Sequence, residues 1–384
     1  MGLFSAAAWR TPPDRPRPRR LAQSAVGAFM AAAGRTIAAI TIAFGLTAIV
    51  LLALGASPFG VFRALCDGAF GNWYAVSDTI VRATPLIFTG LAVAIAFQGA
   101  IYNIGADGQL LIGALAAAAI GPHLKALPTP LALISILALG TTAGALWGAT
   151  AGWLKAARNV NEVISTIMLN FIAVQTISWA IHGPIMEASR AYPRTDPIAP
   201  AAQLPLPIPP TQLNPAILIA ILLAVASYAL VYRSSAGFQL RAMGQNRRAS
   251  AFFGIPIARL TVGAMALSGG LAGLGGAVQI SAITHRLYER LSPGWGFEAI
   301  AVALLARLNP LGVIFTALLF GALDTGSQAI QRAQGVSPVM VQVIEAMVIF
   351  VLLALDRYAA ADGADAVPDY VMQAAVAEAA PSDV

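Results

Sequence analysis

Apolar runs long enough to cross a bilayer recur along this chain of 384 residues, and nothing else limits its fold as strongly. Hydrocarbon offers the backbone no water, so a crossing segment must close its own hydrogen bonds as a helix or a sealed barrel. A helix needs about 20 apolar residues to span a core about 30 Å thick. Ten runs read as spans, at 36–55, 83–101, 105–121, 131–154, 162–181, 213–232, 260–283, 295–306, 309–328 and 338–355. The run at 295–306 is short for the core and reads as a half-helix. Composition agrees, with 58% hydrophobic and 10% charged residues against about 25% charged in a soluble domain. The expected fold class is all-α: a polytopic helical membrane protein with about ten transmembrane segments, one of them short or broken.

In such a chain the net charge of +6 reports topology rather than nucleic-acid binding. Residues 1–35 carry Arg10, Arg15, Arg17, Arg19, Arg20 and Arg35 and read as a disordered cytoplasmic arm. The run that follows is too long for a signal-peptide core and reads as a retained first span. Starting inside puts both termini in the cytoplasm, with a mobile tail at 358–384 after the membrane domain 36–357. The segments then placed inside hold 15 of the 23 Lys and Arg, the bias expected of cytoplasmic loops. Outside, 56–82 with Trp73 and Tyr74 reads as an interfacial helix, and the proline-dense 182–212 as an irregular loop.

The segment 233–259 separates two spans and carries Arg233, Arg241, Arg247, Arg248 and Arg259 with no Asp or Glu. A purely basic loop between spans marks the cytoplasmic face. Asn246 is a good N-cap for a helix of about 247–253, Gly254 suits the left-handed position after it, and Pro256 stops it. Ala249, Phe252 and Phe253 stand at i, i+3 and i+4 and share a face. Such a helix either docks on a soluble partner or lies on the membrane with its arginines on lipid phosphates.

Amide and ionisable groups at membrane depth are costly and count as functional candidates. One cluster is Gln98, Asn103, Asp107 and Gln109, where Gly99, Gly105 and Gly108 break the helical pattern. A second is Asn161, Glu162 and Asn170, in which Asn161 caps the helix starting at Glu162. The third is Phe297 and Glu298, closed off by Arg307, Asn309 and Pro310. Asn103, Asp107, Gln109, Asn170, Phe297 and Glu298 are the candidates for a solute path, against the alternative of hydrogen bonds between helices. Gly269, Gly270, Gly273, Gly275 and Gly276 within one span invite close helix approach. They form no phosphate loop, since no Gly-Lys-Ser/Thr follows. The single Cys66 excludes an internal disulfide, and His123, His182 and His285 show no metal-ligand spacing. No catalytic set or cofactor motif is visible.

Four stretches in order resemble the permease subunits of bacterial ABC importers of the branched-chain amino acid and simple-sugar class, most of all nucleoside-type permeases. They are Tyr102-Asn-Ile-Gly-Ala-Asp-Gly-Gln109, Val160-Asn-Glu-Val-Ile-Ser-Thr-Ile-Met-Leu-Asn170, Leu240-Arg-Ala-Met-Gly-Gln-Asn246 with Ala251-Phe-Phe-Gly-Ile255, and Gly296-Phe-Glu-Ala-Ile-Ala-Val-Ala-Leu-Leu305. The resemblance implies that 233–259 couples to a separate ABC ATPase subunit, through Arg241, Asn246, Arg247, Arg248, Phe252, Phe253 and Gly254. It also implies a second permease subunit, often a different chain, and an extracytoplasmic solute-binding protein, in a multi-pass protein of the bacterial inner membrane surrounded by lipid. Asp107 and Gln245 stand where the family often has Glu, Arg247 where it often has Pro, Ala306 for a usual Gly, and Glu345-Ala346 for a usual Gln-Gly. The rival expectation is a self-sufficient, ion-coupled carrier of a small polar solute. Such carriers often show two halves with matching broken helices, and no such repeat is visible.

Overall fold

The computed structural model describes residues 57–334 without a gap, together with isolated positions between 41 and 52 and residue 343. The expected spans 36–55 and 338–355, the arm 1–35, the tail 358–384 and Glu345 lie outside the described residues, apart from those isolated positions. Among the described residues there is no extended strand, only a single antiparallel bridge between Arg194 and Tyr288. The helices are α1 (Pro58–Phe70), α2 (Trp73–Gln98), α3 (Ala106–Ile120), α4 (Thr129–Arg158), α5 (Glu162–His182), α6 (Ala216–Arg233), α7 (Ser235–Gln245), α8 (Arg247–Phe252), α9 (Ile257–Gln279), α10 (Trp295–Leu305) and α11 (Pro310–Gln334). Seven of these, α2 to α6, α9 and α11, are long and apolar enough to cross a membrane, α3 when counted with the 3-10 turn Gly121–Ala126 that continues it, and α10 is the short apolar helix expected.

Helix α9 is the axis of the packing. Gly140, Gly144, Gly148 and Gly152 recur every fourth residue on α4, and Met265, Gly269, Gly273 and Ala277 do so on α9. These two stripes meet backbone to backbone. A Cβ added at Gly144 would stand 2.3 Å from the Gly269 carbonyl oxygen, and one at Gly148 2.3 Å from that of Met265. Apolar side chains gain little by leaving lipid for a helix interface, so close van der Waals approach through small residues supplies the attraction. The same helix meets α3 at Gly276, whose Cβ would fall 2.0 Å from the Leu110 carbonyl oxygen, and α2 at Gly275, against the Phe88 ring.

Two expectations are corrected. The interfacial helix at 56–82 is two elements. Ser57 caps α1, and after Gly71 the Asn72 side chain accepts from Ala75 N–H at 2.9 Å and starts the spanning helix α2. That span therefore begins at Trp73 instead of residue 83. Asp78 and Arg82 lower the hydropathy of its first turns, but Arg82 pairs with Asp324 on α11 and both belong to the helix. The second correction is α7, a helix inside the basic segment, capped by Ser234, which accepts from Gly237 N–H at 3.0 Å.

The loop 183–215 contains a single 3-10 turn, Pro200–Ala202, and is knitted to the segment after α9. Thr195 N–H donates to the Leu287 carbonyl at 3.0 Å, Ile198 N–H to that of His285 at 2.9 Å, and Leu204 N–H to that of Ser281 at 2.8 Å. At its centre Glu187, 3% exposed, accepts from Arg194, Ser189 Oγ and Tyr192 N–H and lies 3.2 Å from Arg286. The Arg194 guanidinium, then the Ser189 hydroxyl, hold its carboxyl below the ordinary carboxylate range.

Two outcomes follow from this packing. Gly144→Ala should lower the yield of folded protein in detergent, because its methyl group must push α4 off α9. Gly263→Ala, with nothing within 4 Å of the added carbon, should retain or raise the yield, since Ala is favoured in helices by about 1 kcal/mol. Equal yields for the two would refute the contact. For Glu187 the folded value is depressed, so its stabilisation is present at neutral pH and is lost as pH falls below about 4.5, the ordinary value, through the lowered one. Hydrogen exchange at the Tyr192 and Thr195 amides, corrected for intrinsic rates, should speed up over that window. The Glu187→Gln variant should show fast exchange already at pH 7.

Candidate functional site

Asn103 and Gln109 of the first cluster and Asn170 of the second meet where the chain breaks between α2 and α3. Residues 99–105 leave the helix, with Ala100 at φ 51°, and their backbone groups need partners inside the membrane. Asn103, 0% exposed, supplies several. Its Oδ1 accepts from Gly105 N–H at 2.9 Å and from Gln109 Nε2 at 3.1 Å. Its Nδ2 donates to Gln109 Oε1 at 2.9 Å and to Ser268 Oγ at 2.8 Å, and Ser268 in turn donates to the Ala92 carbonyl at 2.6 Å. From α5, Asn170 accepts from Gly108 N–H at 2.8 Å and donates to the Ile104 carbonyl at 2.9 Å. Thr166 Oγ1 accepts from Ile104 N–H at 3.3 Å. Asn103, Gln109 and Asn170 are buried and spend their amides on the break, so they shape it rather than face an opening.

Asp107 does face one. It lines a cleft of about 280 Å³ with Gln175, Ser178, Tyr288, Glu289 and Ser292. Its Oδ1 accepts from Ser292 Oγ at 2.7 Å and from Gly296 N–H at 3.0 Å, in the first turn of α10. Ser292 Oγ accepts in turn from Gly294 and Trp295 N–H, both at 3.1 Å. Gly296 permits this approach, since a Cβ there would fall 2.0 Å from Asp107 N. Both α3 and α10 thus begin at one carboxylate, which complements the positive ends of two short helices. Discontinuous helices meeting at depth recur at solute sites in transporters. Glu298 follows one turn into α10 in the neighbourhood of Asp107 and Asp324, while Phe297 is half exposed.

Asn161 and Glu162 do helix-end work. Asn161 Oδ1 accepts from Val163 N–H at 2.9 Å, and Glu162 pairs with Lys155 across the α4–α5 turn.

The basic segment lies at the Gln98 end of the bundle. Asn246 Oδ1 accepts from Ala249 N–H at 2.9 Å and starts α8, and Gly254 follows it at φ 79°. Phe252 and Phe253 are 87% and 80% exposed, with their rings edge to face at 5.8 Å. Arg247 and Arg248 are exposed beside them. Arg241 turns inward instead, its guanidinium 5.1 Å from the Tyr232 ring centre. Tyr232 OH accepts from Gln98 Nε2 at 3.3 Å, and Gln98 also donates to the Leu308 carbonyl at 3.0 Å. Leu240 and Met243 are buried against Gly99, and a Cβ at Gly244 would fall 2.2 Å from the Gln98 carbonyl oxygen. Sequence reasoning missed this seat of α7 on the end of α2. Its signal was the i, i+3 pair Leu240 and Met243 after a Ser cap. It also missed Ser268, Thr166 and Ser292, small hydroxyls that carry no distinguishing pattern.

Residues 75–353 match the family described as the permease component of the branched-chain amino acid transport system. Among curated proteins, the guanosine ABC transporter permease protein NupP of Bacillus subtilis is 35% identical over 320 residues, covering 81% of this chain and 90% of that one. The nucleoside ABC transporter permease protein NupB of Lactococcus lactis subsp. cremoris is 31% identical over 327 residues, 81% of this chain and 88% of its own length. The glucose ABC transporter permease protein TsgB13 of Haloferax volcanii is 29% identical over 331 residues, 83% and 87% of the two chains. No solved structure matches. With the family match running from the start of α2 beyond α11, across the break and the basic segment, the chain belongs to the branched-chain amino acid transport system permease family and is a membrane-spanning permease subunit of an ABC transporter.

Proposed function

We propose that this chain is the permease subunit of an ATP-driven importer of nucleosides or related simple sugars in the bacterial inner membrane, with both termini cytoplasmic. It hydrolyses nothing itself. A separate ATPase docks on α8, a second permease subunit completes the pathway, and an extracytoplasmic binding protein delivers the solute at the Trp73 end. The observation that carries the docking role is the pair Phe252 and Phe253, large rings exposed on a helix of six residues flanked by arginines. So small an apolar face anchors poorly in a bilayer but suits a groove in a soluble domain. The named relatives supply the solute class: guanosine, nucleosides and glucose. Asp107 and Glu298 belong to the solute path, and Asn103, Gln109 and Asn170 hold its shape.

Burying one phenylalanine contributes roughly 1.5–3 kcal/mol, so Phe252→Ala should weaken ATPase docking by about ten- to a hundredfold. Replacing Arg247 and Arg248 together by Ala should cost less affinity, because rim charges act mainly on association rate and orientation. The measurement is co-purification of the ATPase with each variant. An unchanged yield with Phe252→Ala, or a greater loss with the arginine pair, would assign α8 to the lipid surface.

Asp107→Ala removes two hydrogen bonds to a carboxylate, each worth ~1.5–3 kcal/mol. Asp107→Asn keeps an acceptor oxygen for Gly296. Initial uptake rates in proteoliposomes, at equal amounts of assembled complex, should fall in the order wild type, Asn, Ala. A wild-type rate for Asp107→Ala would remove it from the path.

A further inference from the structure

A second cleft, of about 600 Å³, opens at the Trp73 end of α2 and adjoins the cleft at Asp107, with which it shares Tyr288 and Leu291. Its volume lies within the range of small-molecule sites, roughly 300–1,000 Å³. It runs down α2 from Tyr74 to Pro85, roughly 16 Å at 1.5 Å per residue, and Trp295 at the start of α10 lies at its deep end. So it leads from the end of the bundle opposite α8 to the place where α3 and α10 begin.

The lining has a consistent chemistry. Tyr74, Tyr288 and Trp295 present aromatic surface on separate elements. Asp78 is exposed in the cleft, and no described residue donates to its carboxylate. The side-chain amides of Gln212 and Gln279 have no hydrogen-bond partner among the described residues either. Pro85 offers no N–H, so the Val81 carbonyl lacks its helical partner, and both residues line the cleft. Gln279 stands where α9 passes into the π turn Ile280–Thr284, a distortion frequent at functional sites. The cation in the lining, Arg82, is already paired with Asp324.

Flat aromatic faces suit a planar ring. A free carboxylate and two unpaired amides suit a ring edge rich in N–H donors. With Arg82 engaged, no cation is left for a phosphate, so a phosphorylated ligand is disfavoured. We propose that this cleft is a contact site for the base of an unphosphorylated purine nucleoside on its way to the Asp107 break, with Asp78 and Gln279 reading the edge and Trp295 stacking on the face. The proposal rests on the nucleoside reading above and assigns it to particular side chains.

The test uses the assembled transporter, with ATPase, second permease and binding protein, in proteoliposomes and 8-azidoguanosine as a photoreactive probe. The expected label falls on peptides containing Tyr74, Tyr288 or Trp295, and guanosine competes while guanosine monophosphate does not. Asp78→Ala and Trp295→Ala should each cut labelling and guanosine uptake by about tenfold, the loss expected of one charge-assisted bond or one stacked base. Trp295→Phe should restore most of both. Asp78 is exposed and unpartnered, so its variant is expected to fold, and complex yield verifies this. Label confined to other peptides, or unchanged labelling in both alanine variants, overturns the cleft while leaving nucleoside import standing if the wild type carries guanosine. A wild-type complex that carries glucose and no nucleoside overturns the functional reading and the ligand class together.

Discussion

The contact on which the rest of the structure depends is the approach of α9 to α4 without side chains between them. Gly144 and Gly148 on one helix face Gly269 and Gly273 on the other at distances that leave no room for a Cβ. In lipid this approach substitutes for the hydrophobic drive that packs soluble helices. It fixes where α9 stands, and Ser268 on α9 then reaches both Asn103 and the Ala92 carbonyl. The hydrogen bonds that stabilise the break between α2 and α3 therefore presuppose the glycine contact at Gly269, the next residue. Gly275 and Gly276 extend the logic by seating α2 and α3 on the same helix.

A break in a helix at membrane depth is tolerated only when its freed groups are satisfied by protein or by a watery cavity. Here both devices are present, on different residues. Asn103, Gln109 and Asn170 satisfy the backbone from within the protein, and Asp107 stands at the edge of a cleft. That division follows from side-chain chemistry. An amide donates and accepts, so it can close a ring of bonds among backbone groups, whereas an ionised carboxylate only accepts and pairs with helix N-termini. Asp107 finds these at its own helix and at α10, and for that reason it ties together two short helices that run from a common point.

Much of this was legible in the sequence because the signals are local. The start of α5 follows from Asn161 and Glu162, the limits of α8 from Asn246 and Gly254, and α10 from its shortness between Gly294 and Pro310. The start of α2 was not legible, because hydropathy treats Asp78 and Arg82 as lipid-exposed costs. In the fold one faces a cleft and the other pairs with Asp324, more than 200 residues away in sequence. The polar clusters were visible as clusters, yet their division into groups that brace the break and groups that face an opening was not. That division depends on Ser268, Thr166 and Ser292, which reach Asn103, Ile104 and Asp107 only after the helices pack. Likewise the glycines of α9 stand out in the sequence, but their partner stripe on α4 is identified only by the fold.

Helix α2 joins the two ends of this chain's chemistry. At Gln98 it carries the seat of α7, through Gly99 against Leu240 and Met243 and through the Gln98 carbonyl against Gly244. At the other end, Tyr74 and Asp78 form a wall of the long cleft, and in between Thr89 Oγ1 lies 3.4 Å from the Trp295 carbonyl at the start of α10. A hydrogen-bonded helix of 26 residues moves largely as a rod, except where Pro85 removes a backbone bond and permits bending. The seat of α7 and the wall of the cleft are therefore carried by one helix, at Gln98 and at Tyr74 to Pro85. Gln98 bonds to Tyr232 on α6 and to the turn after α10, and so ties both to this end of α2. The basic segment and the long cleft thus lie at opposite ends of one helix, which packs on α9 at Gly275.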